Sequence, residues 1–327
     1  MRFRRVLAAL CAAVVLAASV TACGDQAEDT GADDEPALAP LVVGTLPTED
    51  ALPLWAAEER GMFADAGLPG VEIVTFQSAQ ERDTAFAAGE IDAFMGDIIA
   101  AAQLESSQIS VTIATVMLGA TPEQGRFGVV AAPESGYNDL AALAGVPVGT
   151  SSNTIQEYVL DGMMEQSGVA PEDIVKEEVD KVPVRFDLVM NGQLAAAALP
   201  EPLLSLAEAQ GATVLADDTS GENLSQTVLV FSDAYLADPG GIETMTVLLE
   251  VWDQAVGLVN EDPDAWRDTL VEKARLPEPI KDTYVISTYP EHQTPSREQV
   301  EQVLSWMEEK DLLRDPVTYE DLVLVTP

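Results

Sequence analysis

Residues 145–160 read GVPVGTSSNTIQEYVL. A short apolar strand pattern, VPVGT (146–150), meets small polar residues and then a helical pattern over 154–167. Thr154 with Glu157, or Asn153 with Gln156, fits a capping box, so the helix starts within a residue or two of Asn153. Two hydroxyl or amide groups would cap it. The run from Thr150 to Thr154 holds five, which leaves several spare beside the free N–H groups of a helix start. A strand feeding a helix through such a junction is the unit of an α/β sheet, and ligands of these sheets collect at that edge.

The same alternation extends in both directions. LVVGT (41–45) predicts a strand, followed by a helix with Leu52, Trp55 and Ala56 on one face, Pro53 in its first turn and Gly61 at its end. VEIVTF (71–76), a helix over 79–88, IDAFM (91–95), a helix from Asp97, VTIATVML (111–118) and FGVVAA (127–132) follow. After a short helix at Leu140 to Leu143 and the opening stretch come DIVKEEV (173–179), a helix over 183–191, AAAAL (195–199), a helix over 202–210 and ATVLA (212–216). LSQTVLVF (224–231) reads as a strand that passes elsewhere, and helices are expected at 240–260, 263–274 and 296–310. No repeat with a period of 20–50 residues is visible. The breaks at APESG (132–136) and GENLSQ (221–226) predict one lobe from 41–131 and 226–327, with 132–225 inserted as a second.

The N-terminus and the charge bound the setting. Arg2, Arg4 and Arg5 precede an apolar run from Val6 to Val20, too short for a span of roughly 20 residues, so 1–22 reads as a signal peptide. Val20-Thr21-Ala22-Cys23 resembles a bacterial lipobox, with Cys23 as the lipidated residue; an ordinary signal peptide with an incidental cysteine is the alternative. Residues 23–40 then form an acidic tether. Cys11 is the only other cysteine, so no disulfide or cysteine-based metal site remains in the mature chain. Without the three signal arginines, 13 basic residues face 56 acidic ones, a net charge of −43. That excludes nucleic acid as a partner and suits a salt-rich habitat.

Four strand–helix junctions are expected on one edge: Pro47, Thr48, Glu49 and Asp50; Gly96 and Asp97; Ser151, Ser152, Asn153 and Thr154; and Pro200, Glu201 and Pro202. The segments PLWAAEERGMFADAGL, FAAGEIDAFMGD, LAGVPVGTSSNTIQEYVL and NGQLAAAALPEPLLSLAEAQGATVL carry a family likeness. Through them the chain resembles the solute-binding lipoproteins of ABC importers, in the branch with sulfonate, taurine and thiamine-pyrimidine binders. The resemblance covers essentially the whole mature chain, to DPVTYEDLV. It implies a type II periplasmic-binding-protein fold: two α/β lobes with mostly parallel sheets, helices on both faces and two hinge crossovers. It also implies a monomer, no cofactor, a permease and ATPase as partners, and a lipid anchor on the outer face of the cell membrane. Carried over by position, the cleft-lining residues are Pro47, Glu49, Asp50, Gly96, Asp97, Ser151 to Thr154 and Glu201.

These loops hold four carboxylates and no lysine or arginine, which favours a solute with amino or ring N–H donors, such as a pyrimidine. Sulfonate, taurine or nitrate is the alternative within the family. Phe76, Trp55 and Tyr158 are stacking candidates but read first as core. An enzyme of the pyrimidine-synthesis type is disfavoured because His292 is the only histidine and lies in a Pro/Thr-rich loop. A sensor that keeps the fold without a transporter stays open.

Overall fold

The computed structural model describes residues 37–219 and 224–323. The signal-peptide and Cys23 expectations, with most of the tether, lie outside the described residues. Among the described residues, ten strands form two five-stranded sheets. The first contains β1 (Leu41–Thr45), β2 (Val71–Thr75), β3 (Ala93–Asp97), β4 (Val111–Leu118) and β10 (Thr227–Ser232). The second contains β5 (Phe127–Ala131), β6 (Val148–Thr150), β7 (Lys176–Glu178), β8 (Ala196–Pro200) and β9 (Thr213–Asp217).

Their orders, β2-β1-β3-β10-β4 and β7-β6-β8-β5-β9, are two copies of one arrangement. In each, the second strand of the order, β1 or β6, pairs in parallel with both neighbours, and the fourth strand alone is antiparallel to the strands beside it. Those fourth strands, β10 and β5, are the ones delivered by the chain crossing between sheets. The outward crossing precedes Phe127, because Phe127–Ala131 pairs with β8 and β9 of the second sheet. The sequence reading placed this strand in the first lobe. It took APESG for the crossing, but Glu134 and Gly136, both at positive φ, make a turn inside the second lobe.

The helices of the first lobe are α1 (Leu52–Arg60), α2 (Met62–Asp65), α3 (Ala79–Ala87) and α4 (Ile98–Ser106). Those of the second are α5 (Ile155–Gln166), α6 (Val182–Met190) and α7 (Leu203–Ala209). The return to the first lobe adds α8 (Asp233–Ala237), α9 (Gly241–Glu261), α10 (Arg267–Lys273), α11 (Arg297–Glu309) and α12 (Tyr319–Leu322). Local chemistry sets their ends. Pro53 lies in the first turn of α1, and Gly61 closes it at φ 71°, where a Cβ would be strained. Ser78 caps α3, Asp97 caps α4 and Thr154 caps α5, each accepting from a backbone N–H one turn in.

Trp55 of α1 and Trp252 of α9 are fully buried where these helices pack on the first sheet, and each such burial stabilises by about 1.5–3 kcal/mol. The α11 face with Val300, Val303, Leu304 and Met307 is buried. Trp306 and Lys310, off that stripe, reach the second lobe. Trp306 meets the Tyr158 ring edge-on at 5.3 Å and donates Nε1–H to Asp161, and Lys310 Nζ lies 2.7 Å from the same carboxylate. The lobes are therefore joined by this seam as well as by the two crossings. Among the described residues no helix is long and apolar enough to cross a membrane.

Candidate functional site

The loops at the carboxyl ends of both sheets face each other across a cleft of about 950 Å³. Of the residues expected at the site, Pro47, Asp97, Ser151 to Thr154 and Glu201 line it.

Each lobe builds its wall on one buried arginine. In the first, Arg82 sits on the first turns of α3 and is 1 % exposed. Its Nη1–H donates to the Met95 carbonyl at 2.8 Å, and Nε and Nη2 donate to Asp83 at 2.9 and 2.6 Å. Its guanidinium lies 4.7 Å above the Phe94 ring. Gly96 makes this possible, because a Cβ there would stand 3.2 Å from Arg82 Cζ and 2.5 Å from Phe94. Gly96 thus shapes the wall without lining the cleft, a correction to its expected contact role.

In the second lobe Arg185, on α6, is fully buried. It donates to the carbonyls of Ala198 and Val179, both at 2.7 Å, and to Gln156 Oε1. No carboxylate among the described residues reaches salt-bridge distance of it. Burial without a direct counter-charge pulls its pKa down to about 10, although Glu178 and Asp180 oppose the shift.

Asp97 ends β3 and caps α4 through Ala100 N–H at 2.8 Å. The backbone N–H of Ile155, from the other lobe, favours its charged form. Burial raises its pKa, with the Arg82 charge acting against that. Glu201 follows β8 and accepts from Ser205 N–H and Oγ–H at 3.1 and 2.7 Å and from Arg126 at 3.3 Å. Its pKa too is raised by burial.

The polar run after β6 has less spare capacity than the sequence suggested. Thr154 caps the helix and donates to the Ser151 carbonyl at 2.8 Å. The hydroxyl of Ser151 donates to Asp180 at 3.0 Å, and that of Ser152 to Glu178. Asn153 takes φ 59°, a left-handed conformation its short amide side chain tolerates. Its N–H donates to Glu157 at 2.6 Å, so Glu157 serves the residue before the cap and closes no capping box. Gln103 of α4 donates to the Asn153 carbonyl at 3.1 Å, a second link between the lobes.

Glu49 and Asp50 do not line the cleft. The irregular segment 274–290 covers them, leaving them 3 % and 6 % exposed. Glu49 accepts from Ser287 Oγ–H at 2.8 Å, and its carbonyl accepts from Tyr289 OH at 2.8 Å. Burial first, and the Glu201 charge second, push its carboxyl up to about 8. Asp50 accepts from Thr227 at 2.9 Å. Trp55, Phe76 and Tyr158 also lie off the cleft and pack in the core, and exposed His292 pairs with Asp253.

The sequence reading missed Arg82 and Arg185, because it examined only the loops directly after strands. A signal was present: Arg82 precedes Gly89-Glu90-Ile91 as Arg185 precedes Gly192-Gln193-Leu194, 103 residues apart throughout.

The profile of the NMT1-like family matches residues 34–270. Comparison with the curated proteins finds no match in sequence. Among solved structures the chain is similar to the alkanesulfonate-binding protein SsuA from Xanthomonas axonopodis pv. citri bound to MOPS. The two share 19 % identity at a TM-score of 0.74, covering 89 % of this chain and 99 % of that one. The aliphatic sulphonate-binding SsuA from Escherichia coli matches at 17 % identity and TM-score 0.72, over 88 % and 92 % of the two chains. The nitrate-binding NrtA from Synechocystis PCC 6803 matches at 15 % and 0.69, over 88 % and 85 %. At these identities the likeness is one of fold: two α/β lobes of the periplasmic-binding-protein type.

Proposed function

The chain belongs to the NMT1-like family, and from that premise we propose that it is the solute-binding lipoprotein of an ABC importer. It takes a small organic solute with amino or ring N–H donors into the interlobe cleft and hands it, unaltered, to a permease and its ATPase. Cys23 carries the lipid, residues 24–40 tether the folded body, and the protein works as a monomer on the outer face of the cell membrane. The lobes run from 41 to the crossing before Phe127, together with 226–327, and from Phe127 to 225.

One observation carries the choice of solute. Five carboxyl groups, those of Asp83, Asp97, Glu178, Asp180 and Glu201, line the cleft against three guanidinium groups, those of Arg82, Arg185 and Arg275. Arg82 and Arg185 donate to protein acceptors already, which leaves Arg275 as the one uncommitted guanidinium among the described cleft residues, against carboxyl groups that keep further acceptor capacity. The absence of basic residues, on which the sequence reading relied, gives way to arginines committed elsewhere. The neighbouring SsuA and NrtA structures bear the names of sulfonate and nitrate binders, and they support the binding-protein reading while leaving the ligand to this chain's own cleft.

The test is a thermal-shift screen of the full chain against a metabolite library, followed by titration of the hits. A ligand bound to the folded state alone stabilises it by about 2.7 kcal/mol at a hundredfold excess over Kd. Hits among amines or N-heterocycles, recovered chemically unchanged, are the expected result. Turnover of a hit, or a library without any hit, contradicts the proposal.

A further inference from the structure

A helix start at a cleft ordinarily attracts anions, because its first N–H groups have no partner within the helix and stand at the positive end of its dipole. Helix α5 opens on this cleft, yet its donors are taken. Ser152 N–H donates to both oxygens of Glu178 at 3.1 and 3.2 Å. Asn153 N–H donates to Glu157 at 2.6 Å and Gln156 N–H to Thr154 Oγ1 at 3.2 Å, and the Asp97 carboxyl of the other lobe stands close enough to the Ile155 N–H to be stabilised by it. Two of the three acceptors, Glu178 and Glu157, are carboxyl groups, and Asp97 brings a third carboxyl to the same helix start.

We infer that Glu178, Glu157 and Asp97 determine specificity by filling the anion position of the cleft with the protein's own carboxylates, so that solutes carrying a sulfonate, nitrate or similar oxyanion are refused there. The inference rests on the cleft being a solute site. It adds which chemical class is turned away and by which residues.

The three are held in different ways. Glu157 is nearly buried and is fixed by Lys176 at 2.6 Å and Lys310 at 3.4 Å, so an incoming anion cannot simply displace it. Asp97 is 8 % exposed and tied to its own helix through Ala100. It arrives from the first lobe, so its charge faces the start of α5 from across the cleft. Glu178 is exposed, and the Ser152 hydroxyl also donates to it. Two of the three cleft arginines offer an oxyanion no easy substitute, since Arg82 is engaged by Asp83 and Met95, and Arg185 by Ala198, Val179 and Gln156; the third, Arg275, is exposed at the cleft lining.

The experiment is calorimetric titration of the full chain with methanesulfonate and with nitrate. The wild type is expected to give no binding heat with either. Glu178→Ala, a change at an exposed position, frees the Ser152 N–H and Oγ–H and should bind methanesulfonate at least about tenfold more tightly than the wild type, as gain of charge-assisted hydrogen bonds requires. Glu178→Gln keeps an acceptor without the charge and should fall between the two. Asp97→Ala should add to the gain, and should Asp97→Ala fail to fold, the Glu178 series alone decides. A wild type that binds methanesulfonate or nitrate as tightly as Glu178→Ala overturns the inference, as does a Glu178→Ala protein with unchanged Tm and no gain. Neither result touches the importer reading, which fails instead if no library solute stabilises the wild type.

Discussion

The two lobes are one frame used twice. Gly44 of β1 and Gly149 of β6 occupy equivalent places, and a Cβ on either would collide with Ile91 or Leu194 and press on Arg82 or Arg185. Those partners, with Met95 and Ala198 whose carbonyls the arginines hold, are all spaced by 103 residues. The frame repeats, and the chemistry set on it differs. Beside Arg82 stands Asp83, which pairs with it; beside Arg185 stands Phe186, which cannot. The loop after β1 ends under the segment 274–290 with Glu49 sealed in, whereas the loop after β6 opens on the cleft. Burying an arginine under a strand is thus a way of building a wall, and the loops above it decide what the wall presents.

Replacing the two arginines is the most forceful way to break this comparison. Arg82→Met leaves Asp83 and the Met95 carbonyl without their donor and is expected to cost about 3 kcal/mol, as for a broken ion pair with one buried partner. Arg185→Met also strands hydrogen-bond acceptors but removes a buried charge that no carboxylate neutralises directly, so the net cost should be about 1 kcal/mol. Urea unfolding of the two variants decides. Equal losses would mean that Asp83 and Phe186 make no difference to the frame.

The sealed loop makes a prediction about pH that the open one does not. The folded Glu49 carboxyl ionises near pH 8, against 4.5 for its ordinary value, so between these the folded state binds more protons than the unfolded. Stability from this group is therefore full below 4.5, falls as pH rises, and levels off above about 8. Glu49→Gln keeps the shape and removes the titration. It should exceed the wild type by about 2–3 kcal/mol at the high end of that window, with the gap narrowing toward acid. The corresponding position in the second lobe is Thr154, which does not titrate. A constant gap across the range would remove Glu49 as the source.

The smallest effect tests the likeness of the lobes itself. Gly44→Ala and Gly149→Ala place a Cβ 2.4 and 2.5 Å from the terminal carbons of Ile91 and Leu194. Each should cost about 1 kcal/mol. Ile91→Val, which deletes the offending carbon, should restore Gly44→Ala, and Leu194→Val should restore Gly149→Ala. Rescue in one lobe alone would show the two frames to be less alike than their registers.

Much of the frame was legible in the sequence. Strand and helix periods fall where 3.6 and 2.0 residue patterns place them, and Pro53, Gly61, Asp97 and Thr154 mark helix ends because their chemistry is local. Sheet membership was harder. FGVVA reads as a buried strand in either lobe, and only pairing with β8 and β9 assigns it. At the site, the polar junctions pointed to the cleft, and Pro47, Asp97, Ser151 to Thr154 and Glu201 line it. Glu49 and Asp50 looked the same in sequence, but the segment that covers them lies more than 200 residues away along the chain. The arginines escaped because a charged residue on a helix normally faces solvent, and burial of Arg82 depends on a glycine in a different strand.

The account depends on loops remote in sequence gripping one solute between the lobes. A crystal structure of the full chain with the best library hit tests this most directly. The account predicts density for an unaltered, N–H-bearing solute in the cleft, within hydrogen-bond distance of carboxyl groups from both lobes, Asp97 on one side and Glu201 or Asp180 on the other. A solute bound to one lobe alone, outside the cleft, or through a sulfonate seated on the amides of Ser152 and Asn153 would contradict it.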